Sequence, residues 1–186
     1  MARGRPSKRQ LILDSAIGLI AELGYQGTSI DLVVQKAGVS KPTVYNNFPT
    51  KQALFQAYLE QMLTELELLL SKIADQDQPD SLRGLIDLFN SLAASPAFLA
   101  IYRVYFGEQH KLDDVTRDQI RAFQDRLKAW GMRWLLLGDY KVSEAQYFIV
   151  MAILKEGIIV PALSDEQGLE ASILLSILEQ TLAIKA

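Results

Sequence analysis

The sequence predicts an all-α protein. Apolar residues recur at three- and four-residue spacing along almost the whole chain, as on one face of an α-helix. Cap residues and Gly or Pro breaks fall where those periodic segments end. No alternating run is bracketed by hairpin turns. With 186 residues, 49% of them hydrophobic, the chain has enough apolar material for a substantial core.

Ile12, Ala16, Leu19, Ile20 and Leu23 mark a first helix that Gly24 stops. Ser29 caps a short second helix over about 30–36, with Asp31 in its first turn favoured by the helix dipole. Ala37-Gly38-Val39 is a tight turn. Ser40 caps a third helix running to about Asn47, and Pro42 is tolerated in its first turn because that N–H has no intrahelical partner. Thr50 caps a fourth helix from Lys51 to about Ile73, and Ala74 to Pro79 reads as a loop. Five more helices are predicted near 80–94, 96–107, 114–137, 143–160 and 166–184, punctuated by Gly107, Gly138 and Pro161. The total is about nine.

The absence of cysteine excludes a disulfide framework and thiol catalysis, and a single histidine, His110, excludes a paired-histidine metal site. No metal or cofactor is expected. Net charge is −3, which taken whole speaks against a nucleic-acid partner. Its distribution reverses that reading. Residues 1–51 hold seven basic and three acidic residues, a net of +4; residues 52–186 hold twelve and nineteen, a net of −7. A basic head on an acidic body assigns contact with a polyanion to the first quarter of the chain.

Two short helices joined by a glycine-containing turn have the layout of a helix-turn-helix. Val33, Ala37, Val39, Val44 and Phe48 are placed to form its small core. The outer face of the third helix then offers Lys41, Thr43, Tyr45, Asn46 and Asn47, with Ser40 and Pro42 at its start also candidates for DNA contact. Amides can pair with adenine in the major groove, a Thr methyl can touch thymine, and Lys can reach guanine or phosphate. Thr28 and Ser29, opening the second helix, and Lys51, opening the fourth, suit the phosphate backbone. Arg3, Arg5, Lys8 and Arg9 form a basic arm for phosphates or an adjacent minor groove.

The stretch Gly24-Tyr25, Thr28-Ser29, Ala37-Gly38-Val39-Ser40-Lys41, Thr43-Val44-Tyr45, Phe48, Lys51 and Leu54 resembles the DNA-binding segment of TetR-type transcriptional regulators over roughly residues 8–55. The resemblance implies that Tyr45 and Lys51 contact phosphates while Lys41, Thr43 and Asn46 lie toward the groove. Leu32, Val34 and Pro42 depart from the family's usual residues, so base preference does not carry over. The resemblance also implies a DNA-binding domain over 1–50, then a helical domain over 51–186 that binds a small-molecule effector and forms a homodimer.

In that second region Tyr102, Phe106, Trp130, Trp134, Tyr147 and Met151 are candidates to line an apolar effector cavity, with Arg103, His110 and Gln146 as candidate polar contributors. The plainer reading of the same aromatic stripes is a packed core. Leu174, Leu175, Leu178 and Leu182, with Ile153, Gly157 and Val160, form a stripe suited either to a partner helix in a dimer or to packing within one chain. Two heads related by a two-fold axis would read a palindromic double-stranded operator.

The longest apolar run, Tyr147 to Leu154, ends at Lys155-Glu156, too short to span a bilayer, and no signal-peptide pattern follows the basic N-terminus. The expectation is a cytoplasmic protein with no membrane partner. Catalysis is not expected: there is no Glu-x-x-His pair, nucleophile elbow or phosphate-cradling glycine loop. The function expected is a ligand-responsive DNA-binding regulator, most simply a repressor released by its effector. An activator is one alternative, and a binding module that has lost DNA contact is another.

Overall fold

The computed structural model describes residues 7–74, 81–138 and 140–183, and among them there is no strand. The helices are α1 (Lys8–Gly27), α2 (Ile30–Ala37), α3 (Lys41–Asn47), α4 (Lys51–Ala74), α5 (Ser81–Ala93), α6 (Pro96–Arg103), α7 (Asp114–Leu137), α8 (Glu144–Leu154), α9 (Val160–Leu163) and α10 (Ala171–Ala183). A π turn over Val104–Glu108 and a 3-10 turn over Gln109–Lys111 follow α6, and a second π turn, Lys155–Ile159, joins α8 to α9. Counting that joined rod as one helix gives nine among the described residues, in line with the expectation.

The described residues divide into two compact units: those within 7–63 and 96–120, and those within 64–95 and 121–183. Packing thus groups α6 and its turns with the N-terminal helices.

The first unit is built on local caps. Ser7 accepts from the Gln10 N–H at 3.1 Å to open α1. Ser29 accepts from Leu32 N–H at 3.2 Å to open α2, and Thr50 accepts from Ala53 N–H at 3.0 Å to open α4. Gly24 breaks α1 with φ 73° and ψ 174°, a region open essentially to glycine alone. Gly38 ends α2 in the left-handed conformation at φ 64°, and its N–H returns to the Val34 carbonyl at 3.1 Å. Ile12, Ala16, Ile20, Val33, Val44, Phe48, Phe55 and Tyr58 fill the core between these helices. α6 packs along α1. There the Arg103 guanidinium donates to the Ala21 carbonyl at 3.0 Å.

In the second unit α5 buries Leu82, Leu85, Ile86, Leu88, Phe89 and Leu92. It packs against α10 and the Lys155–Ile159 turn, and α8 packs on α10. Trp134 is buried and donates its indole N–H to the Ser81 carbonyl at 2.8 Å. The ring lies where a Cβ on Gly84 would stand, 2.8 Å from Cζ2.

Three expectations are corrected. The eighth helix runs on past Val160 to Leu163, with Pro161 in the first turn of α9, where its missing N–H is harmless. The last helix starts at Ala171 rather than near 166, because Leu169 N–H bonds the Gly157 carbonyl at 2.9 Å and ties that segment to the π turn. The apolar run ends at Lys155-Glu156, but the helix that carries it continues, so the expectation that it is too short to span a bilayer is the third. The continuous rod Glu144–Leu163 has 20 residues and a mean hydropathy of 1.6, long and apolar enough to cross a membrane by length and composition. Its packing on α5 and α10 accounts for that apolarity on its inner side.

Candidate nucleic-acid interface

The helical period decides what α3 shows. Val44 is buried and points into the small core with Val33, Ala37 and Phe48. Lys41, Pro42, Tyr45 and Asn46 therefore face outward and are exposed, while Thr43 and Asn47 are half-buried. Tyr45 keeps 43% of its surface open, unusual for a large aromatic that could have been folded inward.

Several of these groups already hold partners in the unbound protein. The Lys41 ammonium forms an ion pair with Asp31 at 2.8 Å. That hydrogen bond, and then the charge of Asp31, pushes the Lys41 pKa up. The Thr43 and Ser40 hydroxyls lie 2.8 Å apart, and Ser40 also caps α3 through Thr43 N–H at 3.4 Å. Asn47 turns its amide back onto the Thr43 carbonyl at 2.8 Å. Tyr45 and Asn46 remain as the exposed polar tips of the helix.

Lys51 stands beside α3 in a built setting. Its ammonium donates to the Gln26 carbonyl at 3.3 Å and lies 4.4 Å over the Tyr25 ring. Tyr25 in turn packs on Phe55 at 4.3 Å. Partial burial pulls the Lys51 pKa down, and the carboxylate of Glu108 opposes that pull.

Ser29 is exposed at the start of α2. Thr28 is not: it is 3% exposed, and its hydroxyl donates to the Gly24 carbonyl at 2.8 Å. The expectation that Thr28 presents a hydroxyl to phosphate is corrected on that ground. Lys8 and Arg9 belong to the first turn of α1 rather than to an arm. Arg9 donates to the Asn47 carbonyl at 2.9 Å and sits 4.3 Å over the Phe48 ring, so it braces the end of α3. Arg3 and Arg5 lie outside the described residues.

The effector candidates fall into both units. Tyr102, Arg103 and Phe106 belong to the first, where Tyr102 is fully buried and stacks on exposed Phe106 with centroids 6.2 Å apart. Trp130, Trp134, Tyr147 and Met151 belong to the second. There Trp130 and Trp134 stack at 4.9 Å and line a surface cavity of about 280 Å³ with Glu67, Leu70, Arg133 and Leu137. Tyr147 is buried, donates to the Leu127 carbonyl at 3.3 Å, and has its pKa raised by burial. Met151 is half-buried.

Of the interface candidates, Ile153, Val160, Leu175 and Leu182 are half-buried and partly available to a partner. Gly157, Leu174 and Leu178 are corrected: all three are buried within the chain. A Cβ on Gly157 would meet Leu174 Cδ2 at 2.7 Å, so this small residue serves close packing inside one protomer. Sequence reasoning passed over the more open apolar residues, Phe148 (74% exposed), Ile149 and Ile173. Their position opposite the buried side of the same helices was the available signal. Among the described residues no group of three or more His, Asp or Glu could hold a metal ion.

A capped, polar-faced helix held by a glycine turn, with cations beside it, defines a helix-turn-helix protein of the DNA-binding class. Residues 12–58 match the family "Bacterial regulatory proteins, tetR family". The chain is 36% identical over 156 residues to the HTH-type transcriptional regulator RutR of Escherichia coli (strain K12), covering 81% of this chain and 72% of that one. It is 40% identical over 153 residues to the HTH-type transcriptional regulator YvkB of Bacillus subtilis (strain 168), 78% of each chain. Solved structures share the fold. The multidrug binding protein EbrR complexed with malachite green superposes with a TM-score of 0.73 at 17% identity, over 96% of this chain and 100% of that one. FadR from Bacillus subtilis in complex with stearoyl-CoA superposes with a TM-score of 0.66 at 19% identity, over 94% and 97%. The chain belongs to the TetR family of bacterial transcriptional regulators, which are DNA-binding proteins and not enzymes.

Proposed function

We propose that this regulator is a repressor that binds a palindromic operator as a homodimer and is released by a small, largely apolar effector. The observation that carries the reading is the outward face of α3, where exposed Tyr45 and Asn46 stand beside Lys41 and Lys51. Asn46 supplies base-edge hydrogen bonds, and Tyr45 and Lys51 grip the flanking phosphates. One head makes a small contact; two heads on a two-fold axis double it and demand a palindrome.

The cavity beside the stacked Trp130 and Trp134 supports an effector whose bulk is flat and apolar, with Arg133 and Glu67 as polar contacts at the rim. EbrR with malachite green and FadR with stearoyl-CoA supply precedent for ligands in this fold. The open apolar residues Phe148, Ile149 and Ile173, with half-buried Ile153, Leu175 and Leu182, support the dimer face. Effector and DNA favour different states and weaken one another reciprocally, with a coupling of about 1–3 kcal/mol.

The test is selection of bound duplexes from a random pool, followed by fluorescence anisotropy across salt. A palindromic consensus is expected, with affinity falling steeply as salt rises because bound phosphates release counterions. Tyr45→Ala weakens all sequences alike, whereas Asn46→Ala changes base preference. Binding that ignores salt and survives both substitutions refutes the placement of α3 in the groove. Phe148→Glu should leave a monomer in sedimentation; an unchanged dimer refutes the proposed face.

A further inference from the structure

Glu108 is the last residue of the π turn after α6. Its Oε2 is buried without a hydrogen-bond partner among the described residues. Its Oε1 lies 3.4 Å from where a Cβ on Gly24 would stand, so the carboxylate is set against the glycine break at the end of α1. Lys51 reaches the same stretch of chain through the Gln26 carbonyl and the Tyr25 ring. Burial lowers the Lys51 pKa and raises that of Tyr25; the charge of Glu108 opposes the first shift and, after Asp113, adds to the second.

A buried carboxylate oxygen with no hydrogen-bond donor is unfavourable, and an uncharged amide of the same shape would serve packing better. The charge makes physical sense when an opposite charge is at hand. Here that charge is Lys51, the lysine that the proposed function places on a DNA phosphate. The segment that carries Glu108 is itself held to α1 by the bond from Arg103 to the Ala21 carbonyl. Its place against the end of α1 is therefore a property of the folded head and not of a loose side chain.

We propose that Glu108 is the head's internal counter-charge for Lys51, a positioning residue whose carboxylate competes with the DNA phosphate for that ammonium and so lowers affinity for DNA of every sequence. The inference rests on the proposed DNA contact of Lys51. Binding of a phosphate to Lys51 must work against the attraction of Glu108 for that ammonium. Any shift of the turn that withdraws Glu108 tightens DNA binding, and any shift that presses it closer loosens it.

The experiment is a double-mutant cycle on the full chain, read by anisotropy with a labelled mixed-sequence duplex at several salt concentrations. Glu108→Gln is expected to tighten binding roughly three- to tenfold at low salt and to steepen the salt dependence. In the Lys51→Met background the same change is expected to have almost no effect. Equal tightening in both backgrounds means simple long-range repulsion and overturns the proposal. So does unchanged or weakened binding by Glu108→Gln in a protein whose thermal unfolding is intact. If instead Lys51→Met leaves wild-type binding unaltered, the parent placement of Lys51 on DNA fails and the inference falls with it. Glu108→Asp, which keeps the charge, is expected to stay near wild type.

Discussion

Replacing Gly24 by alanine tests how the end of α1 sets up the DNA-binding head. Gly24 sits at φ 73° and ψ 174°, where a Cβ is strained whatever the space around it. Holding a non-glycine residue there costs about 1–3 kcal/mol. Alanine also narrows the unfolded ensemble, which returns about 0.4–1 kcal/mol. The net loss is roughly 1–2 kcal/mol, or about 2–8 °C in thermal midpoint for a chain of this length. The strain has one outlet. Alanine favours continuing α1 by about 1 kcal/mol, and straightening the helix would pull away the Gly24 carbonyl that accepts from both the N–H and the hydroxyl of Thr28. DNA affinity should therefore fall along with stability. Gly38→Asn is the control: φ 64° and ψ 34° is the left-handed helical region that asparagine tolerates, and no atom lies within 4 Å of the added Cβ. Circular dichroism at 222 nm during heating, with anisotropy on a duplex, reads both effects. If Gly24→Ala unfolds no earlier than Gly38→Asn and binds DNA as well, the assignment of this break as a glycine-only hinge is wrong.

Gly84→Ala should destabilise the second unit by about 1–3 kcal/mol, because the new Cβ meets the buried Trp134 ring at 2.8 Å, and tryptophan emission should shift as the ring is displaced. Gly107→Ala, with open space around it, is the matched control and should be near neutral. Asp31→Asn releases Lys41 from its ion pair and should strengthen DNA binding roughly two- to fivefold at low salt, an effect that anisotropy should show vanishing as salt screens the charges. Burial raises the Tyr147 pKa above its ordinary 10, so its stabilising neutral form is fully present below pH 10 and is lost as pH rises beyond that value. Alkaline unfolding followed by circular dichroism should accordingly be shallower in Tyr147→Phe; identical profiles would remove Tyr147 as the cause.

Much of the head was legible because its signals are local. Ser29, Ser40 and Thr50 cap helices three residues away, and Gly38 turns the chain where its sequence neighbours require it. The period of α3 likewise separates Val44 from Tyr45 without knowledge of any distant contact. Thr28 was misread because a hydroxyl beside a cap looks the same in sequence whether it faces water or a carbonyl one turn back. The aromatics of the later helices were legible as stripes, yet a stripe does not say which of its residues is outermost. Trp130 and Trp134 share one face and both line a cavity, but only packing against Ser81 and Gly84 buries the second while the first stays half-buried.

The amino-acid sequence by itself determined the helical class, the order and most boundaries of the helices, and the charge division that points the first quarter of the chain at DNA. Those properties arise within one or two turns or from summed charge. Tertiary structure alone decided that Leu174, Leu178 and Gly157 are internal and that Phe148 and Ile173 are open. It also decided that Lys41 is held by Asp31 and that Lys51 and Glu108 both stand against the end of α1. Each of these depends on residues brought together by the path of the backbone, and helical periodicity fixes direction around an axis without fixing what stands opposite.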